Sequence, residues 1–188
     1  GPSGSGKTTL QNLIGGLDTP TSGQVQIRDQ DISGVPPHAL HRLRLHHIGF
    51  VFQAYNLIPV LTARENVEFT MLLQGVPSAE RRTRARKVLD QVGLADQAER
   101  RPTALSGGQQ QRVAVARAIV TRPGIVLADE PTANLDSETG AGLLDLMRDL
   151  NQRHAITFLF STHDPMVMEY SRRLIRLHDG TIHADEEK

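Results

Sequence analysis

The chain has 188 residues, no cysteine, and 21 basic and 21 acidic side chains. This neutral balance provides no global field that would recruit nucleic acid or anionic lipid, and the absence of cysteine excludes disulfides and thiolate metal sites. The length suits one domain with a substantial core, and no apolar run in the sequence is long enough to cross a bilayer.

The first third of the chain alternates helical and strand patterns. In chain order, the sequence predicts a helix at 7–15, a short strand at 24–28, a second helix at 36–45 and an apolar strand at 48–52. The last of these is apolar on both faces, which is typical of a strand in a buried parallel sheet.

A block of helices follows. Thr62 and Glu65 have the spacing of a capping box, and the helical pattern that begins there runs to about Val92. A second helix within this stretch is predicted to begin near Ser78. Ser106 has the chemistry of the N-cap of a third helix.

The last part of the chain returns to alternation. The sequence predicts a strand at 125–128, a long helix at 137–153, a second strand at 156–160 and a terminal hairpin at 174–182. Residues 185–188 are expected to fray. We therefore expect an α/β fold with a mostly parallel sheet, forming one domain over 1–188. In it, a helical subdomain (62–115) is inserted into an α/β core made of 1–61 and 116–188.

The chain opens with the sequence GPSGSGKTTL, which fits a phosphate-binding loop at every fixed position. Its glycines let backbone N–H groups surround phosphates, and the helix start adds its dipole. Lys7 can reach the terminal phosphates, and the Thr8 hydroxyl can bind Mg²⁺. The nucleotide-binding residues predicted here are Gly1, Pro2, Ser3, Gly4, Ser5, Gly6, Lys7, Thr8 and Thr9.

A pair of carboxylates follows the apolar strand at 125–128. Asp129 and Glu130 lie where the carboxyl end of that strand is expected, and ligands bind at this edge in open α/β sheets. We expect Asp129 to hold Mg²⁺ and Glu130 to orient or deprotonate an attacking water. In isolation the pair would be read as a surface feature, but the phosphate loop in the same chain favours the chemical role.

A second anion site is predicted at Ser106-Gly107-Gly108-Gln109, because an N-cap and two glycines leave backbone N–H groups unshielded. Together with the phosphate loop, this motif makes all 188 residues resemble the nucleotide-binding domain of an ABC ATPase, a P-loop NTPase fold. The resemblance implies a head-to-tail homodimer. ATP would lie between the phosphate loop of one copy and the Ser106 motif of the other.

The resemblance also assigns residues that would be weak candidates alone. Gln53 falls at a loop that contacts Mg²⁺ or the lytic water, Asp136 at a loop that crosses the dimer interface, and His163 near the γ-phosphate. It implies an ATPase whose ligands are ATP and Mg²⁺. The catalytic residues would be Glu130, His163 and Gln53, and the metal ligands would be Thr8, Gln53 and Asp129.

Longer stretches such as "HHIGFVFQAYNLIPVLTARENV" and "STHDPMVMEYSRRLIRLHDGTI" resemble the lipoprotein-releasing and macrolide-export group of bacterial ABC ATPases. Members pair with an integral membrane permease, which implies a cytoplasmic, peripheral subunit on the inner face of the cell membrane. The permease contact would follow Gln53. Tyr55, Leu57 and Ile58 would form its apolar part or would instead close the core beneath the helical block.

Two other interpretations stay open. One is an ABC-type ATPase that acts on nucleic acid or ribosomes, although no nucleic-acid partner is expected because the basic stretch 81–87 lacks interleaved aromatic residues. The other is a fragment that binds nucleotide weakly and is poorly stable. In the family, a strand and an adenine-stacking aromatic residue precede the phosphate loop, and this sequence begins at the loop. The histidines at 38, 41, 46 and 47 lack the carboxylates or thiolates of a metal site.

Overall fold

The computed structural model describes residues 1, 4–27 and 30–188. Pro2 and Ser3 of the predicted phosphate loop, and Arg28 of the predicted first strand, lie outside the described residues. Within the described ranges, no helix has the length and apolar character needed to span a membrane.

The amino-terminal elements follow the predicted order, with one additional short strand (β2) and with shifted boundaries. They are α1 (Lys7–Ile14), β1 (Gln26–Ile27), β2 (Gln30–Asp31), α2 (His41–His47) and β3 (Ile48–Val51). The α2 helix begins later than predicted because residues 36–40 form short turns, with Ala39 N donating to Pro36 O. A Cβ added to Gly15, which ends α1, would lie 3.0 Å from the Phe50 ring. This glycine therefore allows α1 to lie close to the sheet.

The helical block contains α3 (Ala63–Leu73), α4 (Ser78–Gln91) and α5 (Gly107–Ile119). The predicted capping box is confirmed: Glu65 N donates to Thr62 Oγ1 at 3.2 Å, and Thr62 N donates to Glu65 Oε2 at 2.9 Å. The three helices surround a cluster of fully buried apolar side chains that includes Val67, Met71, Leu89 and Val113. This cluster supplies the main hydrophobic stabilisation of the block.

The remaining elements complete an α/β core. They are β4 (Ile125–Asp129), α6 (Ser137–His154), β5 (Thr157–Ser161), α7 (Pro165–Tyr170), β6 (Arg173–His178) and β7 (Thr181–Glu187). Strands β3, β4 and β5 form a parallel sheet in that order, in which Val51 is the partner of Ala128 and Asp129 is the partner of Ser161. The carboxyl ends of these strands therefore meet at one edge.

Helix α5 contributes to two hydrophobic clusters among the described residues. Val113 and Ala116 pack with the helical block, whereas Val115 and Ile119 pack with β3, β4 and α6. The predicted boundary between residues 115 and 116 thus falls inside one helix. A shift of the helical block relative to the sheet would have to involve α5.

The prediction of a frayed carboxyl terminus is wrong. The β7 strand extends to Glu187 and pairs antiparallel with β6. Arg173 donates two hydrogen bonds to the Asp185 carboxylate, at 2.8 and 2.7 Å, and holds the pKa of that carboxyl below its usual value. Cross-strand charge pairs of this kind stabilise a strand whose composition alone predicts disorder.

A groove of about 570 Å³ separates β5 from β6, and Gly1 lies among the residues that line it. Within the described part of the chain, β5 is hydrogen-bonded to β4 and has no second partner strand. The parallel sheet and the β6–β7 hairpin are therefore separate sheets.

Candidate functional site

A cleft of about 680 Å³ opens beside the carboxyl ends of the parallel strands. Because β3, β4 and β5 run parallel and in register, the residues that follow them converge there, as expected for ligand sites in open α/β sheets. The predicted site residues that line the cleft are Gly4, Gly6, Lys7, Thr8, Thr9, Gln53, Asp129, Glu130 and His163. The structure thus brings together groups that are up to 159 positions apart in the sequence, from Gly4 to His163.

The phosphate-loop residues sit at the start of α1. Gly4 and Gly6 have φ values of +79° and +92°, in the left-handed region where glycine is strongly favoured. Lys7 Nζ donates to the Gly1 carbonyl at 2.7 Å, and Gly180 N in the β6–β7 turn donates to Ser5 O at 3.1 Å. The loop is therefore held from within by Lys7 and from outside by the hairpin.

Glu130 is the most constrained acidic side chain of the cleft. Its backbone has a φ of +43°, and its N–H donates to Ser161 O at 2.9 Å. Thr162 Oγ1 donates to Glu130 Oε2 at 2.9 Å, and His163 Nδ1 lies 2.6 Å from Glu130 Oε1. Since a carboxylate only accepts, Nδ1 carries the ring proton. The carboxylate is 15 % exposed, whereas the ring above it is 72 % exposed.

Gln53 is exposed at the cleft and belongs to the loop that follows β3. The Asn134 side-chain amide donates to the Gln53 carbonyl at 2.8 Å. This bond ties the Gln53 loop to the segment that carries Asp136. Sequence reasoning missed Asn134 as an anchor because nothing in its immediate neighbourhood indicates a partner 81 positions away.

The Ser106 motif lies outside the described lining of the cleft. Gln109 N donates to Ser106 Oγ at 3.3 Å, and Ser106 N donates to Gln109 Oε1 at 2.9 Å, so these two side chains form a capping box at the start of α5. The S-x-x-Q spacing was available in the sequence as a signal. Within one copy, the motif and the phosphate loop form separate surfaces.

Asp136 also acts at a helix start. Its carboxylate accepts from Thr139 N at 2.9 Å and from Thr139 Oγ1 at 2.7 Å, and these bonds lower its pKa. In this chain Asp136 is thus the N-cap of α6 and lies apart from the described cleft lining. A nucleotide contact by Asp136 would therefore require an interface with a second copy of the chain.

The Ser106 motif packs tightly against α6, and this gives a testable prediction. A Cβ added to Gly108 would lie 2.4 Å from Thr139 Cγ2. Thr139 cannot rotate away without losing its bond to Asp136. We expect Gly108→Ala to lower the free energy of unfolding by about 1–3 kcal/mol, measured by urea denaturation.

The matched rescue is Gly108→Ala combined with Thr139→Ser, because serine keeps the hydroxyl and removes the clashing methyl group. The control is Gly34→Ala, since an added Cβ at Gly34 would meet nothing within 4 Å. A Gly108→Ala protein as stable as the wild type, or one that Thr139→Ser leaves equally destabilised, would contradict the clash.

The donor set of the cleft fits Mg²⁺. The Thr8 hydroxyl, the Gln53 amide oxygen and the Asp129 carboxylate are oxygen donors, which Mg²⁺ prefers. The described residues contain no group of three or more His, Cys, Asp or Glu side chains that could hold a metal ion. Mg²⁺ sites that use one or two protein carboxylates together with water and substrate phosphates require no such group.

Comparison with known proteins identifies relatives along the whole chain. A family model described as ABC transporter matches residues 1–133. An uncharacterised ABC transporter ATP-binding protein of Thermotoga maritima is 47 % identical over 188 residues, which is all of this chain and 80 % of that protein. The macrolide export ATP-binding/permease protein MacB of Salmonella choleraesuis is 46 % identical over 182 residues, covering 97 % of this chain and 28 % of MacB.

A solved structure has the same fold. The dimeric ATP-binding cassette MJ0796, in a post-hydrolysis state bound to ADP and Pi, is 44 % identical and aligns with a TM-score of 0.89. The alignment covers 99 % of this chain and 82 % of that one. The expected P-loop NTPase fold, with its mostly parallel sheet and helical insertion, is therefore confirmed.

Proposed function

The chain belongs to the ABC transporter family of ATP-binding proteins, and on this basis we propose that it hydrolyses ATP, with Mg²⁺, to power a membrane transporter. The observation that carries the proposal is the cleft in which Lys7, Glu130 and His163 converge at the edge of the parallel sheet. The ADP and Pi bound to MJ0796 support hydrolysis as the reaction. The name of MacB, an export ATP-binding/permease protein, supports membrane transport as the process that hydrolysis powers.

The phosphate loop is the proposed binding site for the triphosphate. Backbone N–H groups around Gly4 and Gly6 and the amino end of α1 would surround the phosphate oxygens. Lys7 is the only lysine or arginine among the described residues that line the cleft, and the same lining includes Asp129 and Glu130. Its positive charge favours binding of a polyanion in the cleft.

Glu130 is proposed as the group that orients and deprotonates the attacking water. A bond forms from the water oxygen to the γ-phosphorus while the bond to the bridging oxygen of ADP breaks. One water proton passes to Glu130, and the oxygen leaves as part of inorganic phosphate. Because Thr162 and His163 use only part of the acceptor capacity of the carboxylate, Glu130 can still accept from a water.

His163 and the metal ligands complete the proposed site. A protonated His163 ring would donate from Nδ1 to Glu130 and from Nε2 to a phosphate oxygen at the same time. Thr8, Gln53 and Asp129 would hold Mg²⁺, which when bound offsets the negative charge on the β- and γ-phosphates. The proposed catalytic and metal-binding residues all line one cleft.

A second copy of the chain is proposed to supply the Ser106 motif that would complete the nucleotide site. The Ser106 motif is outside the described cleft lining in its own chain. A head-to-tail homodimer would place that motif, with residues 134–136, against the phosphate loop of the partner. The MJ0796 cassette is a dimer, which supports this arrangement.

The permease contact is proposed for the exposed part of the segment after Gln53. Leu57 packs against the helical cluster, and the Tyr55 hydroxyl lies beside Gly107, so these two side chains are already used inside the chain. Val60 is 70 % exposed and is the better candidate for the apolar contact. The contact would keep the domain on the cytoplasmic face of the cell membrane, as a peripheral subunit without a nucleic-acid partner.

Phosphate release from Mg²⁺-ATP by the purified protein tests the proposal. We expect hydrolysis to rise more than linearly with protein concentration, because the complete site needs two copies. The same assay without Mg²⁺ serves as the control. Hydrolysis that is absent, or that persists undiminished in excess chelator, would contradict the proposed function.

A further inference from the structure

Arg117 in α5 lies half-buried beneath the loop that follows β3. Its two terminal nitrogens donate to the carbonyl oxygens of Asn56, at 2.5 Å, and Tyr55, at 2.9 Å. Burial lowers the pKa of the Arg117 guanidinium, yet an arginine keeps its charge at physiological pH. In the described part of the chain no carboxylate forms an ion pair with it. Two backbone carbonyls thus take the place of an acidic partner.

The backbone that Arg117 holds is unusual. Tyr55 and Asn56 have φ values of +60° and +49°, so two consecutive residues other than glycine occupy the left-handed region. Asparagine tolerates this conformation, but tyrosine rarely adopts it. Two tight backbone contacts close the turn, from Tyr55 N to Phe52 O at 3.1 Å and from Asn56 N to Ala54 O at 2.6 Å. Such a turn persists when its surroundings hold it in place.

Two neutral side chains hold the ends of the same loop. Asn134 donates to the Gln53 carbonyl at 2.8 Å. The buried amide of Asn66 accepts from Ile58 N at 2.8 Å and donates to Ile58 O at 3.1 Å. Between these ends, Arg117 is the charged anchor and bonds directly to the left-handed pair.

We propose that Arg117 is the positioning residue of the Gln53 loop: by holding the left-handed turn at Tyr55 and Asn56, it keeps the Gln53 side chain at the cleft. This inference rests on the proposed ATP hydrolysis, in which Gln53 contacts Mg²⁺ or the attacking water. Arg117 itself is outside the described cleft lining. It acts through the backbone two and three residues beyond Gln53.

The first test measures the loop without requiring activity. In Arg117→Met, amide hydrogen exchange of residues 53–58 is expected to be at least tenfold faster than in the wild-type protein. The matched control is Arg81→Met, because Arg81 in α4 also donates to a carbonyl, that of Val76, at 2.6 Å. Unchanged exchange over 53–58 in Arg117→Met, or equal acceleration in Arg81→Met, would overturn the proposal.

The second test measures the chemistry. We expect Arg117→Met to lower kcat at least tenfold and to raise the half-saturating Mg²⁺ concentration, with ATP affinity within about twofold of wild type. The conservative variant Arg117→Lys keeps the charge but cannot donate to both carbonyls in one fork. Its kcat should therefore lie between those of Arg117→Met and the wild-type protein. This variant also serves if Arg117→Met does not fold. A kcat of Arg117→Lys equal to that of the wild type would overturn the proposal.

A double-mutant cycle separates positioning from general stability. If Arg117 acts through Gln53, then Arg117→Met should change kcat by less than twofold in a Gln53→Ala background. Multiplicative losses in the double variant would overturn the positioning role. A wild-type protein without hydrolysis would instead count against the proposed function, and the exchange experiment would still decide whether Arg117 holds the loop.

Discussion

Glu130→Gln is expected to lower the rate of ATP hydrolysis by about 10²–10⁴-fold, the usual contribution of a general base, while leaving ATP affinity within about twofold. Glutamine has nearly the same shape, so it can still accept a bond from His163, but it cannot take a proton from water. The phosphate loop lies on a different element and keeps its contacts. Single-turnover phosphate release and equilibrium nucleotide binding measure the two effects separately.

A dimer that accumulates with ATP is the second expected property of this variant. If hydrolysis normally separates the two copies, then blocking hydrolysis should shift the protein towards the ATP-bound dimer, as measured by light scattering. The matched control is Glu169→Gln, which removes the same charge from an exposed carboxylate in α7. Turnover by Glu130→Gln equal to that of Glu169→Gln would remove Glu130 from the proposed chemistry.

Local chemistry explains which parts of the site could be predicted from sequence. The phosphate loop, the carboxylates at the carboxyl end of β4 and the caps at Thr62 and Ser106 are short patterns whose function depends on neighbours within a few positions. The structure places each of them on the predicted type of element. Gln53 and His163 were predictable only through the family resemblance, because one polar residue after a strand is unspecific on its own.

Contacts between distant segments explain what the sequence could not indicate. Arg117 and the carbonyl of Asn56 are 61 positions apart, and Thr162 reaches Glu130 across 32 positions. A backbone carbonyl leaves no trace in a sequence, so an arginine that binds two of them looks like any other arginine on a helix. The acidic end of the predicted hairpin was expected to fray for a related reason: its carboxylates indicate disorder until the arginines of β6 are placed opposite them.

Lys7→Ala is expected to have the second of the two largest effects, a loss of ATP affinity of at least about tenfold together with hydrolysis below detection. Lys7 supplies the positive charge of the described cleft lining, which also contains Asp129 and Glu130. Without it, a triphosphate would meet two carboxylates and no compensating basic side chain among those residues. Lys7 also donates to the Gly1 carbonyl at 2.7 Å, so the substitution loosens the loop as well.

Charge and loop geometry can be separated by a second substitution and a control. Lys7→Arg keeps the positive charge but replaces a compact ammonium with a planar fork, so it should restore part of the affinity and little of the turnover. Lys87→Ala removes the same charge from the exposed face of α4, away from the described cleft lining, and should bind and hydrolyse ATP like the wild type. Isothermal titration with Mg²⁺-ATP measures the affinities. Equal affinity in Lys7→Ala and Lys87→Ala would mean that the cleft is not the triphosphate site. Removing the cation nearest to a bound polyanion weakens its binding far more than removing a distant one.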